Sequence, residues 1–135
     1  MSPGPTLNYV NLFVCNLDDL PTFYSSVFGF REIESLRNAV FVALDAGGAA
    51  IGFMAPEVYG VLGLEHKRET AGSAFLLNIE VESTGRVDEL VTSATAAGAR
   101  LVKDPATTGY GWYQAVLEDP EGNVFRINHI LGGAE

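Results

Sequence analysis

The stretch Leu117-Glu118-Asp119-Pro120-Glu121-Gly122-Asn123-Val124-Phe125-Arg126-Ile127-Asn128 decides how the rest of the chain is read. Asp-Pro-x-Gly-Asn is a tight-turn sequence, because proline presets one turn residue and glycine or asparagine accepts a positive φ. Beyond the turn the chain alternates: Phe125 and Ile127 point one way, Arg126 and Asn128 the other. With the first pair in a core, the second pair faces a site. An arginine beside an asparagine on one strand face is an anchor for a small polar ligand.

Upstream of this strand the same alphabet of elements recurs. Residues 73–82 alternate as a strand, with Phe75, Leu77, Ile79 and Val81 on one face. Ser83 or Thr84 caps a helix whose apolar stripe is Val87, Leu90, Val91 and Ala94, and Gly98 ends it. Strands over 99–103, 111–117 and 124–131 follow. The first half has the same order. Residues 7–15 form a strand with Val10, Leu12 and Val14 on one face and Tyr9, Asn11, Phe13 and Cys15 on the other. Asp18 or Asp19 caps a helix with Leu20, Phe23, Tyr24 and Val27 at helical spacing, closed by Gly29. Strands over 30–36, 39–45 and 49–55 complete it. Residues 1–6 read as a loose tail. The chain is therefore one domain, 1–135, made of a βαβββ module at 7–56, a linker at 57–72 and a second βαβββ module at 73–132. The linker carries a charged run, Glu65-His66-Lys67-Arg68-Glu69, and reads as a helical turn or a lid. The fold class is α+β: an open, cupped mixed sheet around a cleft, with helices on the outer face.

Composition narrows the function. Of 135 residues 47% are hydrophobic, enough for a packed core. Seventeen acidic residues against 8 basic ones give a formal net charge of -9, which repels phosphate backbones and anionic headgroups. Neither nucleic acid nor a membrane is expected as a partner. One cysteine, Cys15, has no internal disulfide partner and suits a reducing cytoplasm. No signal peptide or membrane-spanning run is read in the sequence. Cytoplasmic localisation is the expectation.

Asn16-Leu17-Asp18-Asp19-Leu20, Phe23-Tyr24 and Phe28-Gly29-Phe30, together with Asp119-Pro120-Glu121-Gly122-Asn123, resemble the vicinal oxygen chelate superfamily. This family includes glyoxalase I, extradiol dioxygenases, and fosfomycin and bleomycin resistance proteins. The resemblance implies paired βαβββ modules forming a U-shaped cleft, often completed by a second subunit, so a homodimer is expected. In metal-dependent members the cleft holds a divalent ion. The resemblance puts its ligand positions at Tyr9, near Gly52, near Leu76 and at Arg126. Only Tyr9 is a competent ligand in principle, and a guanidinium repels a dication without ever deprotonating. No metal and no cofactor are expected.

Strand alternation lists the cleft lining without the resemblance: Tyr9, Asn11 and Phe13; Ala50, Gly52 and Met54; Leu76, Asn78 and Glu80; Trp112, Gln114 and Val116; Arg126 and Asn128. This is an apolar and aromatic surface with a few convergent polar groups, as in small-molecule sites. Tyr9, Asn11, Phe13, Met54, Asn78, Glu80, Trp112, Gln114, Arg126 and Asn128 are the ligand-binding candidates. Arg126 either grips an anionic group or pairs with Glu80. The asparagines either meet a ligand or satisfy one another. Trp112 and Phe13 either stack on a ligand or pack on a partner subunit. Glu80 is the best general-base candidate, since apolar neighbours would raise its pKa, although a lone carboxylate is weak evidence for catalysis. His129 shares the face of Phe125 and Ile127 and reads as a core-edge residue, and His66 as a solvated one.

The expected function is a metal-free protein binding a small, partly aromatic or amphipathic molecule in the sheet cleft. The alternative is an enzyme: a glyoxalase-like lyase or extradiol-type dioxygenase with shifted ligands, or a metal-free lyase or isomerase using Glu80. A third reading is an interaction module with a vestigial cleft. The identity of the ligand is not readable from the sequence.

Overall fold

The computed structural model describes residues 7–69, 72–73 and 75–133. The expected N-terminal tail, 1–6, lies outside them. The chain divides into two compact units, Met1–Thr70 and Ala71–Glu135.

In the first unit, β1 (Tyr9–Phe13) is followed by α1 (Asp19–Phe28), β2 (Arg31–Glu32), a 3-10 turn (Glu34–Leu36), β3 (Phe41–Asp45) and β4 (Ala50–Met54). The strands lie in the order β1-β4-β3-β2, with β1 and β4 parallel and the other pairs antiparallel. Cross-strand register lines up Leu12, Phe53 and Val42, and beside them Ile51 and Leu44. These apolar residues are buried together with Leu20, Phe23, Tyr24 and Val27 of α1, as the helical spacing requires. The Tyr24 ring lies 5.0 Å from Phe23, edge-on, and 5.9 Å from Phe53. After β4 comes a short helix, α2 (Val58–Val61), then a 3-10 turn (Glu65–Lys67). The expected linker thus carries a helical turn.

The second unit repeats the pattern with β5 (Leu77–Glu80), α3 (Thr84–Ala96), β6 (Arg100–Thr107), β7 (Trp112–Glu118) and β8 (Val124–Ile130). Its order is β5-β8-β7-β6, again with one parallel pair, β5 and β8. Val87, Leu90, Val91 and Ala94 are buried, the four positions of the expected stripe. They cover the row Leu77, Phe125 and Leu117 and the row Ile79, Ile127 and Ala115. Each large apolar side chain so enclosed contributes roughly 1.5–3 kcal/mol. Two βαβββ modules with the same strand order are the architecture expected from the sequence.

The turn between β7 and β8 is built around Asp119, which is only 4% exposed. One of its carboxylate oxygens accepts from the Glu121 and Asn123 backbone N–H groups at 2.9 and 3.0 Å. Asn123 Nδ2 donates to the other at 3.0 Å. Gly122 takes φ 88°, a conformation that a side chain would strain.

Four local expectations are corrected. Residues 30–36 are not one strand: the chain pairs only over Arg31–Glu32 and then coils into the 3-10 turn. There the Leu36 and Arg37 N–H groups donate back to the Ile33 and Glu34 carbonyls at 3.0 and 3.2 Å instead of to a neighbouring strand. The carboxylates of Asp18 and Asp19 do not cap α1. Asn16 Oδ1 does so from two residues before Asp18, accepting from both the Asp18 and Asp19 N–H groups at 2.8 Å. Phe75 is 65% exposed because β5 begins only at Leu77. Finally, β6 runs past Asp104-Pro105 to Thr107; it is an edge strand, where a proline lacking its N–H is tolerated, and its register shifts between Lys103 and Ala106.

Candidate functional site

In the second unit, alternation and register together build one polar face. Phe125 and Ile127 are fully buried toward α3, so Arg126 and Asn128 project from the opposite side. Arg126 stands between Asn78 of β5 and Val116 of β7. Asn128 stands between Glu80 and Gln114, and Trp112 lies further along β7 opposite Ile130. Six candidates, Asn78, Glu80, Trp112, Gln114, Arg126 and Asn128, are therefore brought to one sheet face.

Their bonding decides between the open readings. Glu80 does not pair with Arg126. One of its oxygens accepts from Asn128 Nδ2 at 2.7 Å and the other from the Ile130 N–H at 2.9 Å. His129 approaches Glu80 at 3.8 Å, and its Nδ1 lies 2.9 Å from the Val81 carbonyl, as a core-edge histidine would. The surroundings of Glu80 are thus polar, and its side chain is 45% exposed, where the base reading assumed apolar neighbours. The Arg126 guanidinium lies over the Trp112 ring, 5.7 Å from its centroid. Gln114 Nε2 donates to the Tyr110 hydroxyl at 2.8 Å, and the Tyr110 ring meets Trp112 edge-on at 5.3 Å.

Three buried atoms of this face have no hydrogen-bond partner among the described residues: Gln114 Oε1, Arg126 Nε and Asn128 Oδ1. They belong to neighbouring positions on β7 and β8, and Asn128 is completely buried. An unpaired buried polar atom costs about 1–3 kcal/mol, so three together on one face are an unusual concentration of unmet hydrogen bonding.

In the first unit Tyr9, Asn11, Phe13 and Met54 share the sheet face away from α1. Phe13 stacks on Tyr59 of α2, with ring centroids 3.7 Å apart and planes 12° apart. The Arg68 guanidinium, which is bonded to Glu65, sits 5.4 Å from the same Tyr59 ring. The segment after β4 therefore covers Phe13. Asn11 lies opposite Gly52, and its side-chain oxygen occupies the space above that glycine: a Cβ placed there would come within 1.9 Å of it and 2.8 Å of Phe41.

These positions do not fit a metal ion. Gly52 offers no donor and the space for one is taken by Asn11. Arg126 is a cation engaged with Trp112. Among the described residues no group of three or more His, Cys, Asp or Glu side chains gathers where an ion could be held.

Sequence reasoning missed two contributors. Tyr110 lies in the turn before β7 and reaches Gln114 and Trp112 from there, where strand alternation does not extend. Tyr59 reaches Phe13 from a segment with no strand or helix period to place it.

Among the described residues no helix is long and apolar enough to cross a membrane. The family model for the Glyoxalase/Bleomycin resistance protein/Dioxygenase superfamily matches residues 6–127. A glyoxalase/bleomycin resistance protein/dioxygenase family enzyme from Burkholderia phytofirmans PsJN is 51% identical, with 94% of this chain and 100% of that chain covered and a TM-score of 0.92. TioX from Micromonospora sp. ML1 is 26% identical over 94% of this chain and 100% of its own, at a TM-score of 0.63. Lactoylglutathione lyase from Agrobacterium tumefaciens, 21% identical over 98% and 100%, shares the fold at a TM-score of 0.69. No curated protein matched the chain.

Proposed function

The chain belongs to the glyoxalase/bleomycin resistance protein/dioxygenase superfamily, and from that premise we propose that it is a metal-free member that binds a small, partly aromatic or amphipathic molecule. The observation that carries this reading is the trio of unpartnered buried atoms on Gln114, Arg126 and Asn128. A face selected only for stability would satisfy or delete them; a face that binds a polar molecule keeps them for the molecule. Arg126 supplies a permanent positive charge for an anionic or carbonyl group, and Trp112 an aromatic surface for the ligand's body. Asn78 and Glu80 border the same face. Glu80, with both oxygens engaged by Asn128 and the Ile130 N–H, orients Asn128. Tyr9, Asn11, Phe13 and Met54 are the ligand-facing candidates of the first unit. The protein acts in the cytoplasm, as a homodimer, since each four-stranded sheet leaves edges open to pairing.

The enzyme reading assigns proton transfer to Glu80, or a metal to ligands shifted from these positions. Elemental analysis and native mass spectrometry of protein purified without chelator separate these readings. The expected result is a dimer without stoichiometric metal. Stoichiometric nickel, zinc, manganese or iron held by the protein would overturn the metal-free reading. Arg126→Ala is expected to remove ligand retention while leaving the unfolding midpoint close to wild type. A parallel loss of retention and stability would assign Arg126 a structural role instead.

A further inference from the structure

Resting on the ligand-binding reading above, we propose that the group held at Arg126 is an acid or carbonyl with a hydrogen-bond donor directly beside it, as in an ortho-amino or ortho-hydroxy aromatic carboxylate. The direction of each unpaired atom carries this. Asn128 Nδ2 lies 2.7 Å from a Glu80 oxygen. The Glu80 carboxylate accepts at both oxygens, from Asn128 Nδ2 and from the Ile130 N–H, so this network assigns the amino end of the Asn128 amide to it. Its Oδ1 therefore points elsewhere as an obligatory acceptor, buried and without a partner. Arg126 Nε, equally buried and unpaired, only donates. Gln114 is different. Its partner is the Tyr110 hydroxyl, which both donates and accepts, so the Gln114 amide can present either end.

The face thus offers one fixed donor, one fixed acceptor and one adaptable amide. Arg126 and Asn128 are two residues apart on one strand, about 6.6 Å between Cα atoms, close enough for both side chains to converge on adjacent substituents of one ring. A ligand with acceptors alone, such as phosphate or a plain carboxylate, meets Arg126 but sets lone pairs against Asn128 Oδ1. A ligand with donors alone, such as an ammonium, does the reverse. Only a mixed edge satisfies both, and the Trp112 ring beside the guanidinium favours a planar aromatic body behind it. The three atoms are closed to solvent, so a side chain of the face moves when the ligand enters.

The test compares 2-aminobenzoate with 2-methylbenzoate, in which a methyl of similar size replaces the donor, and with benzylamine, which lacks the acid. Binding is read on the full chain by the side-chain amide of Asn128 and the indole N–H of Trp112 in nitrogen–proton correlation spectra. The expected outcome is that 2-aminobenzoate binds at least about fivefold more tightly than 2-methylbenzoate, the ratio set by leaving one buried acceptor unpaired. Both resonances shift, benzylamine binds more weakly than either acid, and Arg126→Met abolishes the response to both acids. Equal affinity for the two acids, still dependent on Arg126, overturns the donor requirement and leaves the ligand-binding reading standing. A preference for benzylamine, or no response to either acid, overturns the proposed ligand class. The broader reading then stands or falls on the metal and native-mass measurements.

Discussion

Replacing Arg126 with methionine removes the guanidinium but keeps an unbranched apolar stem over the same part of the sheet. Two terms set the change in stability. The substitution deletes a buried, unpaired donor, Arg126 Nε, whose burial costs about 1–3 kcal/mol. It also deletes the contact with the Trp112 ring at 5.7 Å, worth about 0.5–2 kcal/mol. Among the described residues Arg126 has no carboxylate partner, because Glu80 is held by Asn128 and Ile130. The loss of about 3–5 kcal/mol that follows from breaking a buried ion pair therefore does not arise. The net effect ranges from a loss of about 1 kcal/mol to a gain of about 2.5 kcal/mol. The assay is equilibrium urea unfolding followed by far-ultraviolet circular dichroism, since Trp112 emission itself responds to removal of the guanidinium. A variant whose stability falls within that range and that no longer responds to 2-aminobenzoate is the expected outcome. A loss beyond about 3 kcal/mol would refute the reasoning, because only an unrecognised charged partner could produce it.

Three further predictions concern the frame around the site. Asp119→Ala deletes the side-chain acceptor of the β7–β8 turn and leaves the Glu121 and Asn123 N–H groups without it; a destabilisation of about 2–4 kcal/mol in urea is expected, and a change under about 0.5 kcal/mol would mean that the backbone bonds from the Asp119 N–H to the Asn123 carbonyl and from the Gly122 N–H to the Asp119 carbonyl hold the turn without the side chain. Gly52→Ala drives a Cβ to within 1.9 Å of Asn11 Oδ1 and 2.8 Å of Phe41. It should cost about 1–3 kcal/mol, and Asn11→Ala in the same chain should recover part of that loss; strict additivity in the double-mutant cycle would contradict the packing described. The Tyr113 hydroxyl donates to Asp88 at 2.7 Å, and that bond raises its pKa above the ordinary value of 10.0. A raised folded-state pKa contributes stability that is complete below the unfolded value and is lost as pH rises through the folded one. The stability difference between wild type and Tyr113→Phe should therefore be level at neutral pH and shrink above about pH 10, whereas a difference that grows there would reverse the assignment.

What could be read from the sequence followed from periods, and what could not followed from register. The α3 stripe, the alternation of β8 and the Asp119–Asn123 turn depend on residues within a few positions of one another, and each matches the structure. The 30–36 segment failed because the Leu36 and Arg37 N–H groups bond locally to the Ile33 and Glu34 carbonyls, and the α1 cap failed because the asparagine two residues before Asp18 takes its N–H. The Arg126–Glu80 question belongs to the second kind. Both side chains lie on the predicted face, so alternation alone allows their pairing. The parallel register of β5 against β8 sets Asn78 opposite Arg126 and moves Glu80 on to Asn128. That two-residue offset gives the carboxylate to an amide and a backbone N–H, leaves Arg126 to Trp112, and points Asn128 Oδ1 at nothing the described residues supply. Had Glu80 stood opposite Arg126, the pair would have neutralised itself and the face would hold no unmet donor. The binding role proposed for this face thus rests on a register that no single strand encodes, the pairing of Asn78 rather than Glu80 with Arg126.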